Sequence, residues 1–177
     1  SMYLAIRLTR SWTADVDIIR EAAWPAFDFV CSCVPGSVQS VYVNGGNLFN
    51  EKSADTAVCL IRFDTGAIAT VELSRCLPAN IAAAASGEVE FEIIGANNTL
   101  RSEPNKSAVV LHSDVRTMSQ PWNESPLFKM LAEACHPPKQ SMMELSHLEK
   151  LAELTAMAQR SLREASPVMK SGITFSV

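Results

Sequence analysis

Residues 55–73 constrain the fold of this chain more than any other stretch. Ala57, Cys59 and Ile61 alternate with Val58, Leu60 and Arg62. After Asp64-Thr65-Gly66, Ile68, Thr70 and Glu72 alternate with Ala69, Val71 and Leu73. A period of two on either side of a tight turn, with Gly66 free to take positive φ, predicts a β-hairpin. Apolar residues occupy both faces of the run 55–63, so the hairpin belongs inside a sheet whose second face is not fully wet.

Further strands are predicted around it. Residues 3–10 read as a strand, as do Ser37–Asn44 with Val38, Val41 and Val43. Glu88–Ile94 sets Val89, Phe91 and Ile93 against Glu88, Glu90 and Glu92, a half-solvated antiparallel strand whose glutamates form a solvent-facing stripe rather than a metal site. Gly95-Ala96-Asn97-Asn98 turns the chain, Thr99–Arg101 starts back, and Ala108–His112 adds a short strand, while 77–87 reads as a loop.

Helical spacing appears in three places. Ile18, Ile19, Ala22, Ala23, Phe27, Val30 and Val34 recur at intervals of three and four. Pro25 predicts a break near Trp24 between two helical pieces, the second ending at Pro35-Gly36. Ser125-Pro126 opens a second helix, with Phe128, Leu131, Ala132 and Cys135 apolar. Ser141-Met142-Met143-Glu144 is a capping box for a third, running to about Ser166, with Leu145, Leu148, Ala152, Thr155 and Leu162 on its inner face. The expected fold is α+β: one domain over 1–177, an open, mostly antiparallel sheet with helices on one face and the other face free for oligomerisation.

Composition excludes several classes. With 15 basic and 19 acidic side chains the net charge is −4, the wrong sign for a nucleic-acid binder. No apolar run approaches the roughly 18 residues of a membrane span, and no signal peptide is visible, so a cytoplasmic location is expected. Five scattered cysteines do not form a disulfide framework. Cys31-Ser32-Cys33 reads as a buried reduced pair, with no second pair or histidine to complete a zinc site.

Arg62–Ser74 resembles the hairpin "l-x-F-x-n-G-a-x-a-x-i-x-x-S" of the glucose–fructose oxidoreductase / inositol dehydrogenase (Gfo/Idh/MocA) family. Glu90–Leu100 resembles its "v-e-i-x-G-t-x-G-x-l" turn, and Gly36–Val43 its "G-x-v-x-s-V-x-a" segment. Asp55 and a closing helix carrying Glu144, Ala156 and Ser161 before Pro167-Val168 fall in order too. The resemblance implies the C-terminal domain of an enzyme that uses NAD or NADP on a sugar, inositol or related polyol, normally preceded by a Rossmann domain. No G-x-G-x-x-G follows a strand here, and the family's Glu-Lys-Pro segment is absent, so this chain alone is expected neither to bind the cofactor nor to turn over. Ser1-Met2 reads as a remnant of expression ahead of a chain whose upstream part has been removed. Expected partners are the Rossmann domain, a carbohydrate-like substrate and further copies in a homodimer or tetramer.

The resemblance also implies a site. The family's signature is a glycine run, an aspartate and, four residues later, a histidine. Anchored on Phe27-Asp28, it puts Glu21 at the aspartate and Pro25 at the histidine. Pro25 has no proton to move, which leaves three readings: the absent lysine carries the chemistry, the pocket serves an unusual substrate, or the parent has lost activity. Trp12, Arg10, Arg7 and Asp17 are the candidate substrate-binding residues, against plain core or surface roles. His112, His136 and His147 are expected to be non-catalytic. The rival reading is a stand-alone, non-catalytic module that binds a small ligand or only assembles.

Overall fold

The computed structural model describes residues 2–9, 17–47, 54–75, 88–103, 108–113, 116–121 and 145–170. Among these, β1 (Tyr3–Thr9) is followed by α1 (Ile18–Cys33), β2 (Val38–Gly46), β3 (Thr56–Phe63), β4 (Ile68–Ser74) and β5 (Glu88–Ile94). Then come β6 (Asn98–Glu103), β7 (Ala108–Ser113), β8 (Thr117–Pro121), α2 (Leu145–Glu164) and the two-residue β9 (Val168–Met169). The strands form one open sheet of order β8-β7-β6-β5-β1-β4-β3-β2-β9. Every pairing is antiparallel except β1 with β4, because the first strand inserts between β4 and β5. The expected α+β architecture is the one observed.

Alternation decides which face is covered. Leu4 and Ile6 of β1, Val41 and Val43 of β2, Cys59 and Ile61 of β3, and Val71 and Leu73 of β4 are all buried. On them lie Ile18, Ala22, Phe27 and Val30 of α1 and Leu151, Leu154 and Ala158 of α2. Phe29 of α1 meets Phe91 of β5 with ring centroids 5.1 Å apart, extending the core toward the second half of the sheet.

Pro25 does not break α1, which is one helix of 16 residues with proline inside it. Proline removes the donor for the Glu21 carbonyl and crowds it. Trp24 and Pro25 face outward, away from the sheet, while Ala22, Ala23, Ala26 and Phe27 keep the inner face packed.

The inner face of α2 differs from the leucine stripe expected from hydropathy. Leu151, Leu154, Met157, Ala158 and Ser161 are buried, whereas Leu145 and Leu148 are exposed. A serine chose the stripe: the buried Ser161 hydroxyl accepts from Val43 N–H at 2.9 Å and donates to Ser166 O at 2.6 Å. β8 and β9 were not legible as strands. The helix expected from Ser125, the capping box at 141–144 and the 77–87 loop lie outside the described residues.

Candidate functional site

The helix that would carry the expected site begins with a cap. Asp17 Oδ1 accepts from Ile19 N–H at 2.8 Å and Arg20 N–H at 3.2 Å, covering two of the helix's orphan donors with a carboxylate that also suits its dipole. Asp17 is thereby accounted for by the start of α1. Glu21 follows in the first turn and Pro25 one turn later, with Trp24 beside it 42% exposed. Arg10, Trp12 and the Glu21 side chain lie outside the described residues.

Arg7 sits on the opposite side of the sheet. It alternates with the buried Ile6, so it projects from the face that carries no helix among the described residues, away from Asp17. Its Nε donates to Glu72 Oε2 at 2.7 Å and its Nη1 lies 3.5 Å from Glu90 Oε2. The hydrogen bond and charge of Glu72 hold the guanidinium pKa above its ordinary value, so Arg7 is permanently charged. The structure therefore does not bring Arg7 and Asp17 into one pocket.

Register arranges the helix-free face in rows. Arg62, Ile68, Tyr3 and Ile94 lie across one line, and Tyr42, Leu60, Thr70 and Ala5 across the next. Beyond them run Asn44, Val58, Glu72, Arg7 and Glu90, then Gly46, Thr56, Ser74 and Thr9. The first two rows are mostly apolar and the last two mostly polar. An open cleft of about 390 Å³ lies over the polar rows, lined by Arg7, Asn44, Gly46, Thr56, Val58, Glu72 and Ser74 among others.

A third cluster joins the helices and was invisible in sequence because its members are 119 residues apart. His147 Nε2 of α2 pairs with Asp28 Oδ1 of α1 at 2.7 Å. Lys150 Nζ donates to the Cys31 and Val34 carbonyls at the C-terminal end of α1, and lies 5.2 Å from the Phe63 ring centroid. Burial pushes the Cys31 thiol up to about 11 and Cys59 up to about 12, so neither is a nucleophile at neutral pH. Among the described residues no group of three or more His, Cys, Asp or Glu could hold a metal ion.

These residues do not fit a dinucleotide. A pyrophosphate needs open backbone donors at a helix N-terminus behind a glycine turn. At α1 two of those donors are taken by Asp17, which also places negative charge there. The glycine pair Gly45-Gly46 lies inside the last residues of strand β2 itself.

Residues 20–101 match the model of the GFO/IDH/MocA C-terminal domain. That segment of the chain belongs to the GFO/IDH/MocA C-terminal domain family. Solved structures extend the likeness in fold. A protein from Thermotoga maritima assigned as an oxidoreductase matches with a TM-score of 0.75 at 14% identity, over 95% of this chain and 54% of its own. UDP-N-acetylglucosamine 3-dehydrogenase GnnA from Acidithiobacillus ferrooxidans matches with a TM-score of 0.72 at 13% identity, over 92% of this chain and 53% of its own. The WlbA dehydrogenase from Bordetella pertussis, solved with NADH and UDP-GlcNAcA, matches with a TM-score of 0.61 at 20% identity, over 95% and 54%. The chain thus spans about half the length of these solved structures that it matches. No curated protein sequence matches it. Among the described residues no helix is long and apolar enough to cross a membrane.

Proposed function

We propose that this domain is the substrate-binding and oligomerisation half of an NAD(P)-dependent oxidoreductase acting on a sugar, inositol or related polyol, and that it is inactive alone. The observation that carries this reading is the family match over residues 20–101. Its support comes from relatives of twice the length, one named as a UDP-sugar dehydrogenase and one solved with NADH and a UDP-sugar. The cofactor is NAD or NADP, held by residues outside this chain, since the capped start of α1 does not suit it.

The residues we assign to substrate are Glu21, Arg10 and Trp12. Arg7 and Asp17 have partners that account for them without a ligand. Glu21 is the acid–base candidate on α1, one turn before Pro25, and a proton acceptor from outside this chain must complete the reaction. Pro25 also favours a second reading, in which the domain only binds and assembles: at the place where the family has histidine, this helix offers no titratable group.

The test uses the complete protein containing this domain alongside the 177-residue chain. Nicotinamide fluorescence should show saturable NADH binding by the complete protein and none by the chain. In the complete protein Glu21→Gln should lower kcat by roughly 10²–10⁴, the usual contribution of a general acid–base group, with KM little changed. Saturable binding by the chain, or full activity of Glu21→Gln, would overturn the assignment. A complete protein that binds NADH but oxidises no sugar or polyol would establish the second reading.

A further inference from the structure

Asn44-Gly45, near the end of β2, is the one Asn-Gly pair in the sequence. An asparagine side chain loses its amide when the backbone nitrogen of the next residue attacks its carbonyl carbon. Glycine favours that attack, because it sets no Cβ beside the nitrogen and adopts backbone angles that other residues avoid. A folded chain suppresses the reaction by burying the side chain, by holding the attacking N–H in a hydrogen bond, or by stiffening the backbone.

At Asn44 the first two restraints are missing and the third is weak. The Asn44 side chain is exposed and has no hydrogen-bond partner among the described residues. Amides two apart in a strand point the same way, and Val43 N–H turns away from β3 to donate to Ser161 Oγ at 2.9 Å. Gly45 N–H therefore points to the outer edge of the sheet, where β9 pairs only with Ser40 and Val41. Past Val43 the strand is held from one side, through Asn44 against Val58 and Gly46 against Thr56. A strand end held from one side opens locally far more readily than the middle of a sheet.

We propose that Asn44 is a site of spontaneous modification. Gly45 N bonds to Asn44 Cγ and closes a five-membered succinimide, while the Gly45 amide proton leaves with the side-chain nitrogen as ammonia. Water then opens the ring at either carbonyl. One product is an ordinary aspartate; the other is an isoaspartate, whose main chain runs through the former side chain. Isoaspartate adds one backbone atom ahead of Gly45, so Gly46 no longer stands opposite Thr56. Gly46 O then moves away from Asp55 N–H and Thr56 Oγ1, from which it accepts at 2.9 and 3.3 Å in the unmodified chain. The start of β3 is thereby loosened. None of this uses cofactor, substrate or assembly, so it stands or falls separately from the oxidoreductase reading.

The experiment ages the folded chain at mildly alkaline pH in ¹⁸O-labelled water, beside a sample in urea, and maps the peptides by mass spectrometry. In the folded sample ¹⁸O should enter at Asn44 several-fold faster than at Asn97 or Asn98, which are exposed but precede Asn98 and Thr99. Amide exchange at Asp55 should be faster in the isolated isoaspartate form than in fresh protein. Asn44→Asp, which carries the same charge on an ordinary backbone, should exchange like fresh protein. Labelling of Asn44 no faster than of the other two asparagines, labelling confined to the urea sample, or unchanged Asp55 exchange in the isoaspartate form would each overturn the proposal.

Discussion

Ser161 shows how one polar atom can orient a helix. Its buried hydroxyl serves Val43 N–H in β2 and Ser166 O just past α2, so removing it strands a donor and an acceptor at once. Ser161→Ala should cost about 1–3 kcal/mol. At roughly 2–4 °C per kcal/mol for a chain of this size, the thermal midpoint should fall by several degrees. An unchanged midpoint would mean that water replaces the hydroxyl. Asp17→Ala tests a different claim, that this carboxylate is a cap: stability should drop by about 0.5–2 kcal/mol in urea melts, whereas Asp17→Ser should keep most of it. Equal losses in both variants would count against capping. The buried thiols add a pH dependence. In the unfolded chain a thiol ionises near 9.0, while burial raises Cys31 to about 11 and Cys59 to about 12. The folded state therefore holds its thiol protons longer, so this stabilisation is complete below pH 9 and is lost as pH rises toward 11 and 12. Urea melts at pH 8 and pH 10.5 should show a steeper loss for the native chain than for Cys59→Ala; parallel losses would refute the account.

At the scale of elements, turns fix what strands and helices leave open. The α1–β2 connection is clasped to the β3–β4 hairpin: Asp64 Oδ1 accepts from Ser37 N–H at 3.0 Å, and Thr65 Oγ1 donates to Pro35 O at 3.2 Å. Gly36 makes this close approach possible. At φ +95° a side chain is already strained, and a Cβ would lie 2.3 Å from Asp64 Oδ1. Gly66, at φ +78°, has open space around it. Gly36→Ala should therefore destabilise by clearly more than the roughly 1 kcal/mol expected for Gly66→Ala in equilibrium unfolding, and equal losses would show that the clasp yields freely. The same contrast explains what could be read in advance. The β3–β4 hairpin was legible because alternation and Gly66 are local signals. The continuity of α1 through Pro25 was not, since the inner face that holds it straight is a tertiary fact. Arg7 could be picked out as a charged residue on a strand, but its pairing with Glu72 and Glu90 depends on register between strands 65 and 83 residues apart. The His147–Asp28 pair left no sequence signal at all.

Among the described residues the molecule is asymmetric: α1 and α2 both cover one face of the sheet, and the other face carries Tyr3, Tyr42, Leu60, Ile68 and Ile94 exposed in two adjacent rows. Large side chains set side by side on a flat sheet make a contiguous apolar patch, which a soluble domain rarely leaves bare. Isologous pairing would place the same rows of two copies face to face, and the flanking Glu72–Arg7–Glu90 row would stay at the rim as a polar border. Leu60 is the residue to change, because it stands in the apolar rows, is 46% exposed and touches no charge ladder. Leu60→Lys should leave the monomer fold intact, since surface substitutions usually stay within about 0.5 kcal/mol. A lysine facing its symmetry mate or an apolar surface must be desolvated without a partner, so association should weaken by at least about tenfold. Light scattering at tens of micromolar should find the native chain as a dimer or tetramer and the variant shifted toward monomer, with matching circular dichroism spectra. A native chain that is monomeric at those concentrations would show that this face serves another partner, and a variant that assembles unchanged would place the interface elsewhere on the molecule.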